Sequence, residues 1–256
     1  PQTLAFSLPT GALSYDDRPL GQLTLAVHNQ LGDQSAVTAW FEQYAYTCFE
    51  QQASKFVALH DAERWQALMH ELPSYLDKNQ LLRYFPTPYL SGSAGLTAYV
   101  LSLSAYAPDN LKLPSGIAQR LQEGLHDYIQ GRRDQPRTDA IEQVAFYLAA
   151  LDAVSHYGNV PAERLDSVAL APKHWPTSAL IDGLRIVINA EQRDQIEQAL
   201  QERLVKRGTA WQFSADNPLN SMPALMVSPV TNQARLLLVV ADRPEWQPYV
   251  PALVHG

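Results

Sequence analysis

Apolar residues recur at every third or fourth position through most of the chain, a pattern that predicts amphipathic helices. Pro and Gly residues, such as Pro108, Pro114, Gly131 and Gly208, interrupt the pattern and separate the segments. From Cys48 onward, the predicted helices cover about 48–60, 62–79, 95–107, 114–131, 138–157, 161–169, 177–189, 191–206, 221–228, 230–241 and 245–254. The pattern therefore predicts an all-α fold of about a dozen helices, joined by short turns.

The N-terminal part of the chain has a different pattern. Residues 2–8 alternate polar and apolar side chains and end at Pro9, which predicts a short strand. Residues 16–19 predict a loop, and helices are predicted over 20–32 and 35–44. We interpret residues 1–18 as a linker or strand left from a flanking β domain.

Composition limits the classes of function. The chain has 256 residues, of which 46% are hydrophobic and 18% charged, so it can form one large globular domain over 1–256. A net charge of −7 and a pI near 5.4 argue against nucleic-acid binding. No uninterrupted run of about 18 apolar residues is present, so we expect no membrane insertion by this chain. Because the chain begins at Pro1 without a leader, we interpret it as a piece of a larger exported protein.

The single cysteine stands in the sequence Cys48-Phe49-Glu50-Gln51. If Thr47 is the N-cap of a helix, Thr47 and Glu50 form a capping box, and Cys48 becomes the first helical residue. Cys48 and Gln51 are then neighbours at i and i+3 on one helix face. This placement suits a covalent bond between the Cys48 sulfur and the Gln51 side-chain carbonyl, which is an internal thioester.

These residues resemble the C-x-E-Q thioester motif of α2-macroglobulins and complement thioester proteins. The flanking sequence is most similar to the bacterial α2-macroglobulins of the periplasm, and the segments 96–101 and 175–182 also resemble that family. Bacterial relatives usually read Tyr-Pro-Tyr-Gly before the cysteine, whereas Ala45 and Thr47 replace the Pro and Gly here. The resemblance covers the chain from about Leu20 to the C-terminus.

The resemblance implies a fold, a function and partners. The fold would be an α/α toroid with an inner and an outer ring of helices. The function would be that of an endopeptidase inhibitor, not an enzyme, which captures attacking proteases covalently through their amines. The bait segment would lie elsewhere in the parent chain, which would also contain flanking β domains, and a neighbouring domain would complete the shield of the thioester. The parent would lie in the periplasm, with partners among envelope proteins.

A thioester needs protection from water and an activated sulfur. Tyr44, Tyr46 and Phe49 lie within four residues of Cys48, and we expect them to shield the bond locally. The free amides and dipole of the helix N-terminus are expected to lower the pKa of Cys48. Attack by an amine or hydroxyl would then transfer the acyl group and leave a free thiol.

Some relatives use a downstream histidine to pass the acyl group to hydroxyls. His60, His126, His156 and His174 have the right residue type, but none lies in a context that matches the family's histidine. We therefore expect amines to be the favoured acceptors. The scattered histidines and the lone cysteine give no metal-binding spacing, and no cofactor is expected.

Two other classes of function remain open at this stage. The altered residues Ala45 and Thr47 favour a structural or scaffolding module of a periplasmic complex, with a relict or unformed thioester. An enzyme on an α/α toroid, such as a glycosidase, would need two carboxylates that converge on a cleft. We expect the carboxylates to lie mostly on polar helix faces, with no such pair. A cysteine hydrolase would need an imidazole near Cys48, and His60 lies about three turns along the same predicted helix.

Overall fold

The computed structural model describes residues 14–15, 18–19, 34–44, 47–132, 139–158, 165, 167–187 and 189–255. The chain divides into two compact units, residues 1–43 and residues 44–256. The second unit contains the C-x-E-Q sequence.

In the first unit, a short hairpin and one helix are described. Strand β1 (Ser14–Tyr15) pairs antiparallel with β2 (Arg18–Pro19). The predicted loop at 16–19 is therefore wrong for its last two residues, which pair in β2. Helix α1 (Gln34–Glu42) confirms the helix predicted over 35–44. The strand predicted over 2–8 and the helix predicted over 20–32 lie outside the described residues.

The second unit is predominantly helical. Among the residues that the structure describes, seven α-helices precede its hairpin: α2 (Phe49–Ala58), α3 (Ala62–Tyr75), α4 (Ala94–Tyr106), α5 (Ser115–Ile129), α6 (Ala140–Ser155), α7 (Thr177–Ile186) and α8 (Ala190–Arg203). The hairpin consists of strands β3 (Leu204–Arg207) and β4 (Ala210–Phe213), and helices α9 (Pro229–Val240) and α10 (Val250–Val254) follow. The all-α class predicted from periodicity is confirmed, with the small hairpin as an addition. Among the described residues, no helix combines the length and apolar character needed to cross a bilayer.

Short polar side chains begin several of these helices. A side-chain oxygen of the N-cap accepts a hydrogen bond from the backbone N–H three residues later, which satisfies an amide that has no partner within the helix. The N-caps that do this are Asp61, Ser93, Asp139, Asn189 and Ser228.

Helices α4, α6 and α7 form the centre of the second unit. The eight consecutive residues 177–184 of α7 are all buried, and α4 packs on α6, which packs on α7. Helices α3 and α5 instead bury one face and expose the other. A helix that is apolar around its circumference is stable only when other elements surround it. The described helices therefore fall into a buried set and a set with an exposed face.

The hairpin β3–β4 corrects one predicted helix. The periodicity extended a helix through 191–206, but α8 ends at Arg203 and Leu204 begins a strand. Gly208 adopts a positive φ of 62°, which a two-residue turn between paired strands favours. The cross-strand pair Leu204 and Phe213 is buried, so the hairpin adds to the core.

Three further predicted helices differ from the structure. The helix predicted over 221–228 is wrong: Pro223–Leu225 is a single 3₁₀ turn between the bridged residues Met222 and Val227. The segment 245–254 divides into a 3₁₀ turn at Pro244–Trp246 and helix α10, because Pro248 cannot donate a backbone hydrogen bond. The described residues of the helix predicted over 161–169, which are 165 and 167–169, form turns and coil.

Candidate functional site

Cys48 lies at the N-cap of helix α2. Its φ of −68° and ψ of 160° are extended, and the helix begins at Phe49. The prediction that Thr47 is the N-cap is therefore wrong by one residue. Gln51, rather than Glu50, takes the third helical position, so the capping box joins Cys48 to Gln51 in place of Thr47 to Glu50.

The contacts between Cys48 and Gln51 are reciprocal. The backbone N–H of Cys48 donates to Oε1 of Gln51 at 3.3 Å. In the other direction, the backbone N–H of Gln51 faces the Cys48 side chain. The Gln51 side chain therefore folds back over the first turn, and its carbonyl lies beside the residue that carries the sulfur.

Three contacts to backbone carbonyls hold this turn in place. Phe49 N–H donates to the carbonyl of Tyr84 at 2.9 Å, in the loop before α4. Gln52 Nε2 donates to the Thr47 carbonyl at 2.7 Å, and Lys55 Nζ donates to the Tyr44 carbonyl at 3.2 Å. The exposed Thr47 thus contributes its main chain to the turn.

The predicted shielding residues have different environments. Phe49 is fully buried, and its ring packs edge-on against Tyr75 with centroids 4.9 Å apart. It anchors the start of α2 in the hydrophobic core. Tyr44 is half-buried, and Tyr46 lies outside the described residues.

Glu50 belongs to a hydrogen-bonded chain that the sequence did not indicate. Ser54 Oγ donates to the Glu50 carboxylate at 2.9 Å and lies 2.7 Å from the hydroxyl of Tyr99 in α4. The segment 83–95, predicted as an ordered loop from its aromatic residues, Pro and Gly, contributes Tyr84 to the same region. Charge–charge interaction with Glu50 and Cys48 acts on the pKa of Tyr84, which places these groups near one another. Helix periodicity alone could not predict that Tyr84 and Tyr99 lie near Glu50, since this arrangement depends on packing between segments distant in sequence.

Burial controls the acidity of the candidate nucleophile. Cys48 is only 8% exposed, and this burial raises the pKa of its thiol. The Gln51 and Glu50 amides act in the opposite direction, and the Glu50 charge raises the pKa further. The amides at the helix N-terminus do lower the pKa of Cys48, as expected, but burial outweighs them. The expectation of a lowered pKa is therefore wrong for the thiol as a whole. A free Cys48 is mainly protonated at neutral pH.

Replacing Glu50 by Gln is expected to speed alkylation of the free Cys48 thiol. Removing the carboxylate removes one cause of the raised pKa, so the rate rises at a lower pH than in the parent protein. The measurement is the iodoacetamide alkylation rate against pH, in protein whose thiol is free. Glu63→Gln, which changes an exposed carboxylate in the first turn of α3, is the matched control. A pH profile for Glu50→Gln identical to that of the parent would contradict the role of Glu50.

The histidines considered as acyl relays are placed differently. His60, His126 and His174 are exposed, and His60 follows α2 with a positive φ of 53°. His156 Nε2 lies 3.6 Å from a carboxylate oxygen of Asp152, at the end of α6. Within the described ranges, no group of three or more His, Cys, Asp or Glu side chains could hold a metal ion.

Comparison with known proteins identifies a structural relationship. No protein-family model matches the sequence, and no curated protein matches it. The crystal structure of native α2-macroglobulin from Escherichia coli, spanning domain MG7 to the C-terminus, matches with a TM-score of 0.63 at 18% identity. That match covers 88% of this chain and 38% of that chain.

Two further structures of the E. coli protein agree with this match. The cryo-EM reconstruction of its native conformation gives a TM-score of 0.63 at 18% identity, covering 87% of this chain and 15% of that chain. The structure of the form activated by porcine elastase gives a TM-score of 0.56 at 17% identity, and the match covers 83% of this chain and 21% of that chain. This chain thus spans well under half the length of the chains it matches. It has the fold of part of the region of E. coli α2-macroglobulin that runs from domain MG7 to the C-terminus.

Proposed function

We propose that this chain is the thioester domain of a bacterial α2-macroglobulin-like endopeptidase inhibitor, with the bond between Cys48 and Gln51. The observation that carries the proposal is the reciprocal pair of contacts between these two residues at the start of α2. The fold shared with E. coli α2-macroglobulin supports it independently of the motif. In this account the described helices close into an α/α toroid, with α4, α6 and α7 among the inner helices.

The proposed bond forms by exchange of the Gln51 amide. The Cys48 sulfur attacks Cδ of Gln51, and the tetrahedral intermediate carries its negative charge on Oε1. The Cys48 N–H already donates to that oxygen, so it can stabilise the charge as it develops. The thiol proton passes to Nε2, which leaves as ammonia, and the sulfur–carbon bond remains.

In the capture of a target protease, the Cys48 sulfur is the leaving group instead of the nucleophile. A lysine amine of the protease attacks the same carbonyl, forms an amide at Gln51 and expels the Cys48 sulfur, which takes up the proton that the amine loses. The raised pKa of Cys48 makes its thiolate a poorer leaving group than an ordinary cysteine thiolate. Such a thioester resists weak nucleophiles and suits capture by amines that are held close to it.

A flanking domain of the parent chain would complete the shield. The loop whose Tyr84 carbonyl accepts from Phe49 exposes Phe85, Tyr89 and Leu90 to solvent, at 47%, 95% and 41%. Apolar side chains grouped on one loop are a typical contact surface for a neighbouring domain. The bait segment, the β domains and the periplasmic location belong to this proposed longer protein, of which 1–256 forms one domain.

A structural module with an unformed thioester is the second candidate. Ala45 and Thr47 replace the residues that bacterial relatives usually have before the cysteine, and Cys48 has a raised rather than a lowered pKa. Both features would slow bond formation. In that case the chain would act as a scaffold among envelope proteins.

Protease capture by the full-length protein tests the proposal. The protein, isolated freshly from its own source, is incubated with porcine elastase and separated under denaturing, reducing conditions. We expect an adduct that survives boiling and reductant, and peptide mapping should locate a lysine amide at Gln51. Cys48→Ala should form no adduct. Absence of the adduct in the parent, together with a free Cys48 and an intact Gln51 amide, would instead support the structural module.

A further inference from the structure

An elongated cavity of about 230 Å³ lies between helices α4, α6, α7 and α9. Along α4, residues Gly95, Ala98, Ser102 and Tyr106 line it at helical spacing. The eleven residue steps from Gly95 to Tyr106 span roughly 16 Å of helix, so the lining follows most of the length of α4. Cys48 and Gln51 are not among its lining residues.

Two buried carboxylates and two arginines form one wall of the cavity. Arg185 Nε lies 2.8 Å from Asp152 Oδ1, and Arg235 donates to Asp182. The expectation that the carboxylates lie on polar helix faces is therefore wrong for these two residues, which are 6% and 2% exposed. The pairs are neighbours, because charge–charge interaction with Asp152 and Arg185 acts on the pKa of Asp182.

The arginines are more exposed than the carboxylates with which they pair. The Arg185 and Arg235 side chains are 27% and 30% exposed, while the carboxylates behind them are almost fully buried. A guanidinium has five N–H donors, so each arginine keeps donors beyond those used by its aspartate. The Arg185 guanidinium carbon lies over the ring of Tyr106, 5.2 Å from its centroid, which is a favourable cation–π contact.

The buried carboxylates compensate the charges of the two arginines only in part. Burial raises the pKa of Asp182 to about 7, and its Oδ2 has no hydrogen-bond partner among the described residues. Because burial disfavours the charged form of Asp182, this carboxyl compensates the Arg235 charge less completely than an exposed carboxylate would. The N–H donors that Arg185 and Arg235 do not use on the aspartates remain available to a ligand.

The remaining walls of the cavity are apolar. They are formed by helix α4, by the segment before α9 and by α9 itself, and include Ala98, Leu103, Leu225, Val227 and Leu238. Leu238 is 65% exposed, so the apolar lining reaches the surface of the described helices. A ligand that fits both walls carries one anionic group and an apolar body.

We propose that this cavity is a binding site for small amphipathic carboxylates, with the carboxylate on Arg185 and Arg235 and the apolar body along α4. Charge-assisted, two-point hydrogen bonding by guanidinium groups suits a carboxylate in geometry as well as in charge. Fatty carboxylates and the C-terminal residue of an apolar peptide share this chemistry. The site is distinct from the proposed thioester and does not depend on it.

Calorimetric titration of the protein tests the site and distinguishes fatty carboxylates from a peptide C-terminus as its ligand. Octanoate represents fatty carboxylates, and N-acetyl-leucine represents a peptide C-terminus. We expect saturable binding of at least one of them with one site per chain, and the tighter ligand identifies the source. Octanol and octylamine, which lack the carboxylate, should bind at least about tenfold more weakly. Failure of both carboxylates to bind, or equal binding of octanol, would overturn the proposal.

Paired variants locate the binding groups without leaving a buried charge alone. Arg235→Met with Asp182→Asn removes one complete ion pair, and Arg185→Met with Asp152→Asn removes the other. Each double variant should weaken binding by about tenfold or more, since it removes charged donors. Arg64→Met with Asp61→Asn, which removes a pair between an exposed arginine and a half-buried aspartate elsewhere, is the matched control and should bind as the parent does. Unchanged affinity in both cavity variants would refute the assignment.

A cavity-filling variant gives a second test that keeps both ion pairs. Ser102→Trp places a large ring within the cavity, whereas Ser74→Trp places the same ring on the exposed face of α3. We expect Ser102→Trp to lose octanoate and N-acetyl-leucine binding, and Ser74→Trp to keep it. Binding that survives in a folded Ser102→Trp protein would place the ligand elsewhere and contradict the proposal.

Discussion

Replacing Gln51 by Ala is expected to abolish incorporation of methylamine. Replacing the adjacent Gln52 by Ala removes one of the three contacts that hold the turn, but should keep incorporation at Gln51. Of these two glutamines, Gln51 is the one that forms the capping box with Cys48, through Oε1 and its backbone N–H. Gln52 Nε2 instead donates to the Thr47 carbonyl. The two glutamines thus differ in geometry while sharing their chemistry and their helix.

The measurement is mass spectrometry of the protein after methylamine treatment. The parent and Gln52→Ala should each gain one methylamine at Gln51 and one free thiol, with the amine nitrogen replacing the sulfur on the same carbonyl. Gln51→Ala and Cys48→Ala should show neither change. Labelling of Gln51→Ala, or labelling of the parent at a residue other than Gln51, would contradict the assignment of the bond.

Replacing Phe49 by Ala is expected to lower the free energy of unfolding by about 3–5 kcal/mol, because it leaves a large cavity in the core. The Phe49 side chain is fully buried and packs against Tyr75. Its backbone N–H also joins the start of α2 to the Tyr84 loop. The loss should therefore loosen the turn that carries Cys48 as well as the core.

Phe85→Ala provides the matched control for this prediction. Phe85 lies next to Tyr84 in the same loop, but its side chain is 47% exposed. We expect its replacement to change the free energy of unfolding by no more than about 0.5 kcal/mol. Chemical denaturation of both variants checks the difference. A Phe49→Ala protein as stable as Phe85→Ala would show that the start of α2 is not anchored by this ring.

Helix periodicity predicted most of the second unit because its segments are separated by clear Pro and Gly breaks. It failed at 204–206, where Leu204 and Val205 continue a helical apolar pattern but begin strand β3, and where Gly208 indicates the turn that follows. It failed again at 221–228, where Pro223 and Pro229 leave too short a segment for an α-helix. Both errors occur where backbone constraints outweigh the apolar spacing.

The sequence motif predicted the candidate site, but not its register. A threonine is intrinsically a better N-cap than a cysteine, so sequence reasoning placed the cap at Thr47. In the structure, burial of Phe49 and its bond to the Tyr84 carbonyl fix the helix start one residue later. The same dependence on packing explains why the Asp152 and Asp182 pairs were missed, since each carboxylate meets its arginine through tertiary contacts.

The intact mass of the full-length protein, freshly isolated from its own compartment, tests the central proposal most directly. If Cys48 and Gln51 form a thioester, the mass is lower than the encoded mass by one ammonia, and Cys48 does not react with a thiol reagent. Methylamine should then restore the free thiol and add its own mass. The encoded mass, with a reactive Cys48 and an intact Gln51 amide, would contradict the account.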